Sequence, residues 1–210
     1  IGRPAPLEPS VQATRLNDRG ERLRIPDQQG FPAGGVFQAG GRKAAEHLIA
    51  TGHRRIAHIM GWQGSSTGRD RARGFAEALR EAGQKPFALV DGMYSRDEAM
   101  RATRALCAGA EKPDAIFVGN DHMAFAVMDI LRFELGLSVP GDVSVIGYDD
   151  VPLAAWPAYD LTTIRQPVRR MVDATVDILL DQIEGETTPS RIRIEGPLIE
   201  RGSVRERTVK

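Results

Sequence analysis

The chain has 210 residues, 41% of them hydrophobic and 27% charged, enough apolar material for one large globular domain or two small ones. Twenty-eight Lys and Arg balance 28 Asp and Glu, so no net field draws these residues to nucleic acid or to a membrane surface. A single cysteine excludes an internal disulfide and fits a reducing compartment.

Residues 1–38 are rich in Pro, Gly, Arg and Gln, hold no lasting period, and read as irregular. They contain no apolar core of the signal-peptide kind, and no run in the chain approaches the roughly 20 apolar residues a bilayer span needs. The first residue is Ile1 and not Met, so the chain reads as a fragment. From Gly40 the pattern sharpens. "GRKAAEHLIATGH" predicts a helix that Gly52 ends, and "RIAHIMGW" (55–62) predicts a strand. After the polar turn "QGSSTGRD" comes a helix over "RARGFAEALREAG", stopped by Gly83. Strand 87–92 leads to a helix over 95–109 with Ser95 as its N-cap. Strand 114–120 leads to a helix over 121–136, and "VSVIGYDD" is the next strand. Cys107, between Ala105, Leu106 and Ala108, reads as a small core residue.

The strands are continuous apolar runs alternating with helices over short connections. That combination predicts an α/β fold with a doubly wound parallel sheet covered on both faces. Beyond Pro157 the rhythm changes to an extended "LTTIRQP" (161–167), a helix over 168–185, and a strand-like "RIRIEGPLIERGS". On that helix Val172, Val176, Leu179 and Ile183 form an apolar stripe. Asp173, Asp177 and Asp181 recur every fourth residue on another face, which reads as solvated and not as a metal site.

Ligands of open α/β sheets sit outside the carboxyl ends of the strands. Here those ends carry Trp62, Ser65, Ser66, Thr67, Arg69 and Arg71, then Asp91 and Tyr94, then Asn120 and Asp121, and lastly Asp149 and Asp150. Any one of them could be a helix cap. Carboxylate, amide, guanidinium and hydroxyl groups beside aromatic rings also suit a polyhydroxylated ligand, with Tyr94 or Trp62 covering the apolar face of a sugar. Catalytic readings fare worse, and no catalytic residue is assigned. "GSSTGRD" lacks the ending of a phosphate loop, no nucleophile elbow or Cys/His pair is present, and adjacent carboxylates on a strand point to opposite faces. His47, His53, His58 and His122 show no metal-ligand spacing, so neither metal nor cofactor is expected.

The stretches "AGGRKAAEHLIATGHRRIAHI", "SSTGRDRARGFAEAL", "FVGNDHMAFAVMDILRFELGLSVPGDVSVIGYDDVPLAAWPAYDLTTIRQPVRRM" and "GPLIERGS" resemble the effector-binding part of the LacI/GalR family of bacterial transcription regulators. The resemblance covers roughly residues 39–204 and implies a periplasmic-binding-protein-like fold of type I. It implies that 39–160 with 191–204 form the C-terminal lobe, that 161–190 supply a hinge strand and a helix of the other lobe, and that 1–38 are an atypical remnant of the first lobe and its crossing. Carried over residue by residue, the effector contacts fall on Arg71, Tyr94, Asn120 and Asp149, with Ser66 and Trp62 as further candidates and Asp150 supporting the turn. One departure stands out: where the family ends a strand with Val-x-x-Asp-Asn before "AGGR", this chain has Val36 and Phe37.

The implied function is sugar sensing in a cytoplasmic regulator, with no enzymatic activity. It would reach operator DNA through a helix-turn-helix that this chain does not contain. A homodimer is expected, because helix 121–136 is apolar around most of its circumference and "VPLAAWP" lies nearby. The alternatives are the sugar-binding protein of an importer, which shares the fold, and an α/β enzyme.

Overall fold

The computed structural model describes residues 35–185 and 194–205, so the readings for 1–34 and 186–193 lie outside the described residues. Chain order is helix α1 (Val36–Ala50), strand β1 (Ile56–Met60), α2 (Ser66–Glu81), β2 (Ala88–Asp91), α3 (Arg96–Cys107), β3 (Ala115–Val118) and α4 (Asp121–Asp129). Strand β4 (Ser144–Asp149), β5 (Thr162–Arg165), α5 (Val168–Glu184) and β6 (Leu198–Ile199) follow. They form one sheet in the order β2-β1-β3-β4-β5-β6, parallel throughout except for β6, which runs antiparallel to β5. "LTTIRQP", read as a lobe crossing, thus supplies a strand hydrogen-bonded into this sheet.

Alternation along the strands explains the two covered faces. Ile56, Phe117, Ile146 and Tyr148 pack with Leu48 of α1 and Phe75 and Leu79 of α2. Ala57, Ile59, Ile116, Val118 and Val145 face the other way, against Leu106 of α3 and Met123, Val127 and Met128 of α4. His58 takes its place in the first layer as an aromatic core residue. Its ring stacks on Phe117 at 4.3 Å, and Nδ1 donates to the Phe117 carbonyl at 2.9 Å. Complete burial keeps it neutral, with its pKa lowered from 6.5 to about 3. His53 is also a packed residue, its ring bonded to Leu48 O and Ser144 Oγ.

Two helices start earlier than sequence periodicity predicts. Val36 opens α1, so the end of the segment read as irregular is helical. The signal is weak because Gly40 and Gly41 are poor helix formers, yet tight packing requires both. A Cβ on Gly40 would strike the Tyr148 ring, and one on Gly41 would strike the Arg71 carbonyl. Likewise "STGRD" belongs to α2 and is not a turn; Ser65 is its N-cap, accepting from Gly68 N at 3.1 Å. Most other boundaries follow the sequence closely, although of the strand-like "RIRIEGPLIERGS" only Leu198–Ile199 is strand among the described residues. Ser95 caps α3, and Gly52, Gly83 and Gly185 end helices with φ of +83°, +69° and +83°.

Helix α4 continues through a π turn (Ile130–Glu134). Met123, Phe125, Val127, Met128, Ile130 and Leu131 are all buried within the molecule, so an apolar circumference does not argue for a dimer as expected. What stays exposed there is Phe133 and, on the neighbouring segment, Trp156. Helix α5 is the opposite case. None of its residues is buried, and Val172, Val176, Leu179 and Ile183 are exposed together with Asp173 and Asp177. Among the described residues no group of three or more His, Cys, Asp or Glu could hold a metal, and no helix is long and apolar enough to cross a membrane.

Candidate functional site

Because β1 to β5 are parallel, their carboxyl ends share one edge, and α1 and α2 bring side chains over it. Gly41 and Gly74 let the two helices touch backbone to backbone, since a Cβ on Gly74 would strike Gln38 O. That approach carries Phe37, at the start of α1, onto Arg71 of α2. The Arg71 guanidinium lies 3.7 Å over the Tyr148 ring, 5.1 Å from Phe37 and 5.8 Å from Tyr94. Nη1 donates to the Gly119 carbonyl at the end of β3. Arg71 is only 5% exposed, and this aromatic cage with one carbonyl compensates the burial of its charge.

Asp149, the last residue of β4, has φ +124°, and Asp150 follows at +58°. Two successive residues in glycine's territory cost of order 1–3 kcal/mol each, strain that concentrates at ligand sites. The turn is held from below by the buried Asp121, which accepts from Val151 N at 2.9 Å and from Thr163 Oγ1 at 2.6 Å. Burial raises the Asp121 pKa above the usual carboxylate range, against the pull of these two bonds.

The two adjacent carboxylates have separate tasks. Asp150 is clamped by guanidinium groups, Arg165 Nε at 2.5 Å and Arg201 Nη2 at 2.7 Å, and its side chain is 5% exposed. Burial pushes its pKa up, but the two arginines outweigh that and leave it lowered. Asp149 accepts one bond, from Gln166 Nε2 at 2.5 Å, and its pKa is raised by burial against the pull of Gln166 and the Arg71 charge. A carboxylate with spare acceptor capacity beside a caged guanidinium can take up neighbouring hydroxyl groups while the arginine donates.

The other expected residues distribute unevenly. Tyr94, half-buried at φ +53°, lays its ring over Gly61 and shares a 3.3 Å hydrogen bond with Thr67. Asn120 is the N-cap of α4, its Oδ1 accepting from Met123 N at 2.9 Å, which uses only the carbonyl end of the amide. Arg71, Tyr94, Asn120 and Asp149 thus come to one rim. Ser66 sits exposed on the first turn of α2, and Trp62 lies half-exposed on the β1–α2 loop, both outside the Arg71 cage.

Sequence reading missed Phe37, Tyr148 and Gln166. Phe37 was hidden by the weak start of α1, and Tyr148 read as an ordinary strand residue. Gln166 follows Arg165, which the β4–β5 register pairs with Asp149. That pairing was the signal available for it. Beside them opens a cavity of about 260 Å³, lined by Val36, Phe37, Tyr148, Gln166, Pro167 and Met171.

Residues 45–204 match the model of a periplasmic binding protein-like domain. Among curated proteins, the chain is 38% identical over 187 residues to the HTH-type transcriptional regulator CelR of Thermobifida fusca, covering 88% of this chain and 55% of that protein. It is 36% identical to the HTH-type transcriptional repressor PurR of Photobacterium profundum, covering 80% of this chain and 51% of that one. It therefore spans about half the length of the curated relatives it matches. Among solved structures, a Lac repressor dimer bound to operator and the anti-inducer ONPF is similar with TM-score 0.77 and 31% identity, over 81% of this chain and 59% of that one. A transcriptional regulator CelR–cellobiose complex gives TM-score 0.75 and 38% identity, over 80% and 52%.

Proposed function

Since the chain belongs to the periplasmic binding protein-like domains of LacI/GalR-family regulators, we propose that it is the effector-sensing part of a DNA-binding transcriptional regulator whose effector is a sugar. The observation that carries the reading is the pairing, at one sheet edge, of the caged Arg71 guanidinium with the strained, acceptor-bearing Asp149. Tyr94 and Asn120 complete this wall in the reading. Sugar chemistry is favoured because a CelR complex with cellobiose is among the similar structures. The relatives being regulators favours this reading over an importer's binding protein and over an enzyme.

In the proposal, residues 39–160 with β5 and 191–204 make one lobe, and the chain leaves it after Arg165, so that α5 belongs to a second lobe. Effector closes the two lobes on each other, and closure shifts a homodimer between operator-binding and released states. The dimer has a precedent in the similar Lac repressor structure. Such a protein works in the cytoplasm and reaches operator DNA through a separate domain.

The test uses the intact protein. Calorimetry against glucose, galactose, cellobiose, maltose and lactose should reveal at least one binder, and that sugar should change the mobility shift on operator DNA. Binding without any effect on DNA would favour a transport protein. No binding to any of the five would remove the sugar reading.

A further inference from the structure

The carboxyl edge of the sheet is chemically uneven. At the β4–β5 end it is polar, with Asp149 and Gln166. At the β1–β2 end it also presents large apolar side chains: Trp62, just after β1, and Met93, just after β2, are 50% and 48% exposed. Large apolar side chains scattered over a surface need no explanation, but these two are fixed by their backbones at the ligand-facing edge. The Trp62 carbonyl accepts from Ser65 N at 3.1 Å and from Ser65 Oγ at 2.9 Å, and Ser65 in turn caps α2. Met93 has φ +55°, and its N–H donates to Asp91 Oδ1 at 2.9 Å.

The Trp62 indole is also held against the chain. A Cβ on Gly64 would strike its Cε2, Cζ2 and Nε1, so the indole is packed on the bare glycine while half of the residue stays exposed. A glycine-backed, half-exposed indole offers a stacking platform for the C–H face of a sugar ring.

We propose that Trp62, flanked by Met93, is an outer subsite of the same ligand cleft, and that the effector is a disaccharide or longer. This rests on the sugar reading above. The argument is one of span. In the order β2-β1-β3-β4, two strand spacings separate β1 from β4 and three separate β2 from β4. At about 4.8 Å per spacing the edge from Asp149 to the Trp62–Met93 end is roughly 10–14 Å long. One pyranose ring cannot meet the Asp149–Arg71 pair and lie on the indole as well, whereas two linked rings can.

The experiment repeats the five-sugar calorimetry on the intact protein with Trp62→Ala and Trp62→Tyr variants. Because Trp62 is exposed, both variants are expected to fold, which thermal unfolding checks. A disaccharide should bind wild type more tightly than its constituent monosaccharides. Trp62→Ala should weaken that disaccharide at least tenfold and leave monosaccharide binding within twofold, and Trp62→Tyr should recover most of the loss. A monosaccharide binding as tightly as every disaccharide would overturn the proposal, as would a disaccharide indifferent to Trp62→Ala. If none of the five sugars binds wild type, the sugar reading itself falls and takes this subsite with it, an outcome distinct from the other two.

Discussion

Helices α4 and α5 are both rich in apolar side chains, yet one buries nearly all of them and the other none. Helix α4 lies between α3 and the β3–β4 face of the sheet, and Met123, Phe125, Val127 and Met128 leave no room for solvent. Helix α5 carries an equally regular stripe that meets no such layer among the described residues. The difference teaches that periodicity specifies a face to be buried but not what buries it. The proposed ligand site falls between the two: Asp149 comes from the strand beside α4, and its partner Gln166 stands two residues before α5 begins.

The contrast breaks first, and by the largest margin, if the core is cut. Phe117→Ala or Phe125→Ala should cost about 3–5 kcal/mol in urea unfolding, the range for deleting a packed aromatic ring. A loss under 1 kcal/mol at Phe125 would mean that the layer around α4 is not a stabilising one, and at Phe117 the same of the layer beneath α1 and α2. The site comes next. In the intact protein, Arg71→Ala and Asp149→Ala should each weaken the tightest-binding sugar by about 1.5–3 kcal/mol, as expected for hydrogen bonds to charged groups. Gln166→Ala, which removes only the α5-side support of Asp149, should cost less, and calorimetry showing the reverse order would reassign the primary contact.

Acid should act through the core as well as through the Asp150 clamp. His58 is neutral in the fold, with its pKa lowered from 6.5 to about 3, so between those values the unfolded chain binds a proton that the folded one does not. Stability therefore falls as pH drops from 6.5 toward 3, at up to about 1.4 kcal/mol per pH unit. Phe is expected to fit the aromatic stack at this position, and His58→Phe should flatten the slope; an unchanged slope would locate the acid sensitivity elsewhere. Smallest of all, Leu179→Ala and Ile183→Ala should alter stability by no more than about 0.5 kcal/mol. Amide exchange should be fast along α5 and slow in β1, β3 and β4. Strong protection of α5 in this chain would erase the comparison.

Much of this organisation is legible in the residues. The continuous apolar strands and short connections imply the parallel sheet, and its carboxyl edge follows from the parallel order. The glycine stops and the Ser95 cap fix most helix ends. What stays hidden is hidden for physical reasons. Gly40 and Gly41 suppress the helical signal because the partners that need them, Tyr148 and the Arg71 backbone, lie far along the chain. The separate roles of Asp149 and Asp150 depend on Gln166, Arg165 and Arg201, which only strand register brings near. Ser65, not Ser66, caps α2, a one-residue distinction that composition cannot make.

Ser203 bears on how the fold is assembled in time. Its Oγ donates to Val145 O at 2.6 Å and accepts from Thr162 N at 2.8 Å, and its carbonyl accepts from Val145 N at 2.9 Å, joining the starts of β4 and β5. During synthesis, at roughly 5–20 residues per second, β4 and β5 leave the ribosome well before this serine and the β6 strand that closes the sheet edge. The nascent lobe must wait through all of α5 with an open edge and unpaired backbone groups at its base. That interval is when a chaperone, or a second nascent chain pairing along the bare strand, has its opportunity, and the arrival of Ser203 ends it.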